Sequence, residues 1–308
     1  MLRKTLLYLS EQKTLREFAA KNPLARRFAS RFVAGETLDT AVAAVRELNV
    51  RGISASLDVL GESVTAVDEA RASAAMVVET QERIAAERLD CNVSVKLSQM
   101  GLDLDPGLCV ENLRRILERG RDLGLFVRID MESSAHTQRT LDLFEREFLP
   151  VHGDRVGIVL QSYLRRTAAD VERLLGVRAR VRLCKGAYDE PAAVAFPAKA
   201  DVDRSYADLM ERLLERGNHP AVATHDPALI VRARQFVAAR GIAPERFEFQ
   251  MLYGVRRDLQ QELQQAGYRV RVYVPFGTHW YPYFMRRLAE RPANIAFIMG
   301  NVVKESLR

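Results

Sequence analysis

The sequence has few cysteines and no pattern typical of a disulfide framework or a metal site. Cys91, Cys109 and Cys184 are widely spaced and form no C-x-x-C pair. An odd number of cysteines excludes a small disulfide-stapled scaffold and favours a reducing compartment. No histidine stands near them at ligand spacing, so we expect no bound metal.

The chain also lacks a long apolar segment. No run approaches the roughly 18 residues that a membrane-spanning helix needs. Glu11 and Lys13 interrupt the apolar N-terminal stretch before a signal-peptide core is complete. We therefore expect a mature chain that begins near Met1 and stays in the cytoplasm.

The chain has only a small excess of positive charge and few aromatic residues. The 46 Lys and Arg residues exceed the 40 Asp and Glu residues by only six, and 7% of the residues are aromatic. The two signs alternate along the chain, whereas nucleic-acid binders usually cluster basic residues with aromatics between them. This pattern favours solvated helix faces and predicts no nucleic-acid partner.

The first 48 residues carry a helical pattern without a strand. Apolar residues such as Leu15 and Phe18 recur mostly three and four positions apart, and Asn22-Pro23 and Gly35 interrupt the pattern. We predict an N-terminal helical arm over residues 1–48.

Eight short β-branched runs then alternate with amphipathic segments. The runs cover residues 53–57, 92–97, 126–129, 156–161, 181–184, 221–224, 247–251 and 270–274. Eight βα units in roughly 250 residues predict a (β/α)8 barrel of the α/β class over residues 49–308. A doubly wound open sheet is the alternative, which the absence of a G-x-G-x-x-G motif after any run disfavours.

Polar residues stand where these runs end. In a barrel, the carboxyl ends of the strands form the active face, so the pattern predicts a functional site there. The residues are Asp58, Lys96, Ser98, Asp130, Glu132, Gln161, Arg182, Lys185, Thr224, His225, Asp226, Gln250 and Tyr273.

Most of these residues have an ordinary interpretation beside the functional one. Lys96 is a Schiff-base or carboxylate-binding lysine, or an edge residue that points to solvent. Asp130 and Glu132 are an acid/base pair, or ion-pair partners of Lys96 and an arginine. His225 is a site residue or a hydrogen-bonded core histidine.

Two segments have the composition of ligand-binding elements. Residues 185–188, KGAY, join a flexible turn to a cation, which suits the approach of a phosphate or a planar ring to the backbone. Tyr283, Arg286, Arg287 and Glu290 share one face of a helix that starts at Pro282. Adjacent arginines favour a carboxylate or phosphate ligand, whereas a solvated arginine pair is the ordinary interpretation.

Nine segments, in their order along the chain, resemble the motif set of the proline dehydrogenases. They are SLDVLGE, SVKLSQ, RIDMES, VLQSYLRR, RLCKGAY, ATHD, FEFQMLYG, VYVPFGTH and Tyr-x-x-Arg-Arg-Leu-x-Glu. The resemblance extends from about Asp58 to Asn301 and is to the compact monofunctional bacterial enzymes. It implies a distorted, TIM-like (β/α)8 barrel without an aldehyde dehydrogenase module.

The resemblance also implies an activity and its partners. The expected reaction is the FAD-dependent oxidation of L-proline to 1-pyrroline-5-carboxylate, the first step of proline catabolism to glutamate. Hydride would pass to flavin N5 and electrons to a membrane quinone. The expected place is the cytoplasm, with peripheral contact to the inner face of the bacterial inner membrane as a further option.

Roles for individual residues follow from the same resemblance. Arg286, Arg287 and Lys96 would bind the proline carboxylate, and Glu290 would pair with one of the arginines. Asp130 would lie beside the substrate and order Lys96, and Arg182 would lie against the reactive edge of the flavin. The ring would be enclosed by Tyr273, Tyr283 and Leu252, and the cofactor would be surrounded by Met131, Gln161, Lys185, Gly186, Ala187, Thr224, His225 and Gln250.

One position departs from the family pattern. Some relatives place a tryptophan after the GAY turn, where this chain has Asp189. Two alternatives to the dehydrogenase remain from the residues alone: a barrel lyase that uses Lys96 as a Schiff base, and a non-enzymatic anion- or nucleic-acid-binding module.

Overall fold

The structure is a computed structural model that describes residue 12, residues 22–61 and residues 63–290. Residues 1–11 and 13–21 of the arm, Glu62 of the SLDVLGE motif, and Asn301 lie outside the described residues. The arm boundary at residue 48 stays a prediction. In the described part, this region contains the helices α1, Pro23–Ala29, and α2, Leu38–Val50.

Eight parallel strands form a closed barrel in sequence order. They are β1, Ser54–Val59; β2, Cys91–Val95; β3, Val127–Ile129; β4, Val156–Gln161; β5, Arg180–Cys184; β6, Ala221–Ala223; β7, Glu248–Leu252; and β8, Val270–Phe276. The barrel closes where Ser54 lies opposite Arg271 and Val59 opposite Phe276. This closure confirms the barrel prediction and excludes the open doubly wound sheet.

Helices cover the outside of the barrel between successive strands. They are α3, Val67–Ala86; α4, Pro106–Asp122; α5, Ser134–Leu143; α6, Leu149–His152; α7, Thr167–Gly176; α8, Lys199–Arg216; α9, Pro227–Ala239; α10, Arg257–Gln265; and, after β8, α11, Trp280–Glu290. A π-helical turn, Phe144–Phe148, joins α5 to α6. The 3-10 turns are Gly153–Arg155 and Pro244–Arg246.

Local sequence signals account for several helix ends. Asp105 accepts a hydrogen bond from Gly107 N before α4, and Asp226 accepts one from Ala228 N before α9. Proline follows each of these caps at the first helical position, where no backbone donor is needed. Helix α11 begins at Trp280 rather than at the predicted Pro282. Pro282 fits this start, because backbone N–H groups in the first turn of a helix have no intrahelical acceptor and a proline there loses no hydrogen bond.

The observed strand bounds differ from the predicted runs by at most two residues at either end, and those of β4 agree. Strand β2 ends at Val95, before the predicted end at Leu97, because the Lys96 carbonyl accepts a hydrogen bond from Met100 N and the chain turns. Strand β8 continues to Phe276, beyond the predicted Val274, because its pairing with β1 persists.

The inside of the barrel contains buried ion pairs. Arg271 Nε lies 3.1 Å from both carboxylate oxygens of Glu248, and Arg271 Nη1 donates to Ala55 O at 2.7 Å. Burial alone would raise the pKa of Glu248, but the charge of Arg271 and a hydrogen bond from Gln250 outweigh it and lower this pKa to about 2. The carboxylate therefore stabilises the fold above about pH 4.5, and that contribution is lost as the pH falls towards 2.

The Glu248 pair gives a stability prediction. Glu248→Gln should lower the free energy of unfolding by about 3 to 5 kcal/mol, because Arg271 is left charged and unpaired in the interior. The matched surface change Glu211→Gln, which breaks an exposed pair with Arg232, should cost less than about 1 kcal/mol. Urea unfolding of both variants tests this, and equal midpoints would contradict it.

Candidate active site

Side chains from β5, from β8 and from the residue after β3 form a hydrogen-bonded group at the barrel mouth. Arg182 Nη1 donates to Asp130 Oδ1 at 2.7 Å, and the Tyr273 hydroxyl donates to Asp130 Oδ2 at 2.8 Å. The guanidinium of Arg182 also lies 5.4 Å from the centre of the Tyr273 ring. Burial, and then the charges of Asp130 and Asp58, raise the pKa of Tyr273, so the phenol stays a donor.

Lys96 belongs to the same group, but its carboxylate partner differs from the one expected. Its Nζ lies 2.9 and 3.0 Å from the two carboxylate oxygens of Asp58, and 3.4 Å from the Tyr273 hydroxyl. Asp130 reaches Lys96 through Tyr273, whose hydroxyl contacts both, and the ordering of Lys96 by Asp130 stays a prediction. Asp58 lies opposite Ser94 in the pairing of β1 with β2, so Lys96, two residues on and on the same face, reaches the neighbouring strand.

Burial of Lys96 decides between two of its interpretations. The side chain is only 11% exposed, which excludes an edge lysine that points to solvent. A lysine that lies close to both oxygens of a carboxylate is held as an ammonium, whereas a Schiff base needs the neutral amine.

Ser94 is a member of the group that the sequence prediction missed. Its hydroxyl accepts from Arg182 Nη2 at 3.2 Å and lies 3.2 Å from the hydroxyl of Ser56. Arg182 Nε is buried without a hydrogen-bond partner among the described residues. The signal for Ser94 was its position two residues before Lys96, which puts both side chains on the same face of the strand.

Asp130 and Glu132 do not act as a pair. Glu132 accepts hydrogen bonds from the backbone and the hydroxyl of Ser98, in the loop that follows β2. Strand β3 ends at Ile129, so strand alternation does not continue to Glu132. Asp130 contacts the arginine and tyrosine of the barrel mouth, and Glu132 fixes a neighbouring loop.

The KGAY loop lies close to a tyrosine ring. Gly186 has a φ of +112°, and a Cβ there would lie 2.4 Å from the ring of Tyr163, so only glycine suits this position. Lys185 Nζ lies 2.5 Å from Asp203 and 2.8 Å from Asp226. Two carboxylates already neutralise this ammonium, so the remaining ligand-binding feature of the turn is its close backbone approach.

A carboxylate contact holds the segment that follows the GAY turn. Ser134 N, in the first turn of α5, donates to Glu190 Oε1 at 2.6 Å, and the Ser134 hydroxyl donates to Glu190 Oε2. A carboxylate is stabilised at a helix N-terminus by the unpaired backbone donors and the helix dipole. Asp189 is exposed. In this chain Glu190 therefore ties the loop to α5, and sequence inspection did not single it out.

His225 connects two of the predicted site residues. Its Nε2 accepts a hydrogen bond from Leu252 N at 2.8 Å. An accepting Nε2 carries no proton, so the imidazole is neutral and is protonated on Nδ1. His225 is thus hydrogen-bonded, and it fixes the backbone of Leu252 at the end of β7.

The remaining polar residues of the mouth have varied environments. Gln161 Nε2 donates to Met131 O at 3.4 Å, while Gln161 Oε1 is buried without a hydrogen-bond partner among the described residues. Gln250 donates to the interior carboxylate of Glu248 instead. Thr224 is buried and accepts from Asp226 N at 3.1 Å, and Ala187 is half-buried.

Helix α11 presents the predicted tyrosine and arginine pair. The guanidinium carbon of Arg287 lies 5.1 Å from the centre of the Tyr283 ring, as the spacing of four residues predicts. Tyr283 is buried, and Arg286 and Arg287 are half-buried, which disfavours a fully solvated arginine pair. The side chain of Glu290 lies outside the described part of the structure.

The described residues contain neither a metal-binding cluster nor a membrane-spanning helix. No group of three or more His, Cys, Asp or Glu side chains in residues 22–61 and 63–290 is arranged to hold a metal ion. No helix in these ranges is long and apolar enough to cross a bilayer.

Comparison with known proteins places this geometry in a family. The sequence model of the family described as proline dehydrogenase matches residues 41–299. Proline dehydrogenase 1 of Bacillus subtilis subsp. natto is 44% identical over 308 residues, which are 99% of this chain and 100% of that protein. The proline dehydrogenase of Deinococcus radiodurans is 41% identical over 99% of this chain and 98% of its own length.

A solved structure agrees with the fold. Proline utilization A of Bdellovibrio bacteriovorus, inactivated by N-propargylglycine, has a TM-score of 0.82 and 27% sequence identity to this chain. The match covers 90% of this chain and 34% of that larger one. The chain is 41–44% identical to monofunctional enzymes over nearly its full length, and it forms a closed barrel. It is therefore an enzyme of the proline dehydrogenase family.

Proposed function

We propose that the protein oxidises L-proline to 1-pyrroline-5-carboxylate with FAD as its cofactor and a membrane quinone as electron acceptor. One observation carries the proposal: Arg182, Asp130, Tyr273, Lys96 and Asp58 form a connected polar group at the mouth of a proline dehydrogenase barrel. A relative of this fold is inactivated by N-propargylglycine, an N-substituted amino acid, which supports an amino-acid substrate.

Three cations bind the substrate carboxylate. Arg286 and Arg287 supply planar donors from α11, and Lys96 supplies a point charge from the end of β2. Proline is a small ligand, so its carboxylate provides most of the available binding energy. Charge-assisted hydrogen bonds in a partly buried site suit that task. The family resemblance implies that Glu290 would pair with one of these arginines.

Apolar and aromatic side chains enclose the pyrrolidine ring of proline. Tyr273 and Tyr283 are held rigidly, the first by Asp130 and the second beneath the guanidinium of Arg287. Leu252 is fixed through the hydrogen bond from its backbone to His225. Rigid walls hold the reacting carbon in one orientation, and this orientation contributes to the rate.

The residues that surround the proposed cofactor site fit a flavin. Gln161 Oε1 and Arg182 Nε are buried polar atoms without partners among the described residues, and a flavin edge carries both donors and acceptors. Gly186 allows a close backbone approach. The other members of the proposed set are Met131, Lys185, Ala187, Thr224, His225 and Gln250.

The reaction removes a hydride from the ring carbon next to nitrogen and a proton from the nitrogen, which is released to water, and it leaves a C=N bond. When bound, FAD would supply the two-electron acceptor for this oxidation. Arg182 places positive charge beside the acceptor, and Asp130 orders both Arg182 and Tyr273. The chain itself binds and orients, so no protein nucleophile takes part.

The two alternatives fit the site less well. The lyase needs a neutral Lys96, but this lysine is ion-paired with Asp58. A nucleic-acid-binding module would need an open basic surface, whereas the cations at the mouth include Lys96 and Arg182, which are buried and paired. The cytoplasm, with peripheral membrane contact where the quinone is reached, is the compartment that follows from the proposed acceptor.

The activity itself is the first test. Purified protein should be yellow with bound FAD and should reduce a dye or a soluble quinone with L-proline, while NAD should not replace the acceptor. Absorbance spectroscopy and steady-state kinetics measure both properties. Strict NAD dependence, or an aldehyde adduct trapped on Lys96 by borohydride and required for turnover, would contradict the proposal.

Arg287→Met tests the proposed carboxylate clamp. The variant should raise the proline KM by about 30-fold or more, since truncating one partner of a charge pair costs about 2 to 5 kcal/mol. The FAD content should stay at the parent level. Arg204→Met, which removes an exposed arginine paired with Asp201, is the control and should not change KM. Loss of FAD from Arg287→Met would assign α11 to the cofactor instead.

Glu190→Ala tests the tie between the KGAY loop and α5. Removing two charge-assisted hydrogen bonds should speed FAD release by at least about fivefold, since each contributes about 1 kcal/mol or more. The adjacent change Asp189→Ala removes an exposed carboxylate and serves as the control. Recovery of flavin fluorescence after dilution measures release, and equal rates in both variants would mean that the loop does not retain the cofactor.

A further inference from the structure

Asp58 is a fully buried carboxylate for which the proposed reaction has no direct use. It lies near the end of β1, and both of its oxygens lie within 3.0 Å of Lys96 Nζ. Because both oxygens are engaged by Lys96 and the residue is 0% exposed, Asp58 is unsuited to touch the substrate. Its effect on the reaction must pass through the lysine.

The surroundings of Lys96 show why a partner is needed. The ammonium is 11% exposed and is taken largely out of water, which favours loss of its proton unless an opposite charge lies close. The charged and titratable groups that face it come from several strands: Asp58 from β1, Tyr273 from β8 and, beyond Tyr273, Asp130 and Arg182. Asp130 is engaged by Arg182 and Tyr273, whereas Asp58 contacts the lysine directly with both of its oxygens.

Position matters as well as charge. Two short contacts to one carboxylate restrict the long lysine side chain to a narrow range of rotamers, and the contact with the Tyr273 hydroxyl fixes its direction across the mouth. A donor that is already in place binds its ligand without a further loss of side-chain entropy. The Asp58 pair therefore preorganises a substrate-binding cation.

We propose that Asp58 is a positioning residue that acts through Lys96, keeping it charged and aiming its ammonium at the substrate carboxylate. The inference rests on the proposed function, in which Lys96 binds that carboxylate. A purely structural role predicts something different: loss of Asp58 would then destabilise the barrel and reduce activity whether or not Lys96 is present.

A double-mutant cycle separates these two roles. Asp58→Asn keeps the shape of the side chain and removes its charge, and should raise the proline KM by about tenfold with a smaller change in kcat. In the Lys96→Met background, Asp58→Asn should alter KM by less than about twofold, because the lysine through which Asp58 acts is absent. Ser54→Ala is the control, because Ser54 lies at the opposite end of β1 and its hydroxyl donates to Asp90. Equal effects of Asp58→Asn in both backgrounds would overturn the proposal.

The pH profile supplies a readout that a structural role would not move. Without the carboxylate, Lys96 should lose its proton at lower pH, so kcat/KM should begin to fall at lower pH in Asp58→Asn than in the parent. Asp58→Glu keeps the charge in a longer side chain. It should retain the parent profile with a raised KM, and it serves as the second variant if Asp58→Asn does not fold.

A measurement on Lys96 itself separates this proposal from the proposed function. Formaldehyde with cyanoborohydride methylates neutral amines, and mass spectrometry reads the modification at Lys96 in the complete protein. Near neutral pH, Asp58→Asn should be methylated faster than the parent and Asp58→Glu. An unchanged rate would overturn the role of Asp58. Absence of proline oxidation by the parent, with faster labelling of the variant, would overturn the proposed function alone.

Discussion

Charge pairing inside a closed barrel is the constraint on which this structure depends. A side chain that points inward from one strand cannot reach open solvent, so each buried charge needs a partner from another strand. Arg271 on β8 pairs with Glu248 on β7, Arg182 on β5 with Asp130 after β3, and Lys96 after β2 with Asp58 on β1. Each pair joins two different strands of the barrel, or the residue that follows one strand to another strand.

The two pairs at the mouth are joined into one group. The Tyr273 hydroxyl donates to Asp130 and also lies within 3.4 Å of Lys96 Nζ. The Tyr273 phenol therefore links the Arg182–Asp130 pair to the Lys96–Asp58 pair. In such a network the donors are held before any ligand arrives, which is the arrangement that a binding site for a small anionic substrate requires.

The loops around this group are fixed by contacts of the same kind. Glu190 holds the KGAY loop against α5, and His225 holds the backbone of Leu252. Both contacts use a side chain to satisfy a backbone donor at the end of a helix or strand, where no regular partner exists. Asp189, the residue after the GAY turn, is exposed, and the adjacent Glu190 holds the loop in place.

The sequence by itself determined the strand order, the strand bounds to within two residues and the residues that gather at the mouth. These follow from local periodicity and from the rule that parallel strands end at one edge. Only the tertiary structure decided which charges pair: Asp58 rather than Asp130 contacts Lys96, Glu132 turns to Ser98, and Glu190 reaches Ser134. Pairing depends on register and on distances across the barrel, and no local pattern encodes those distances.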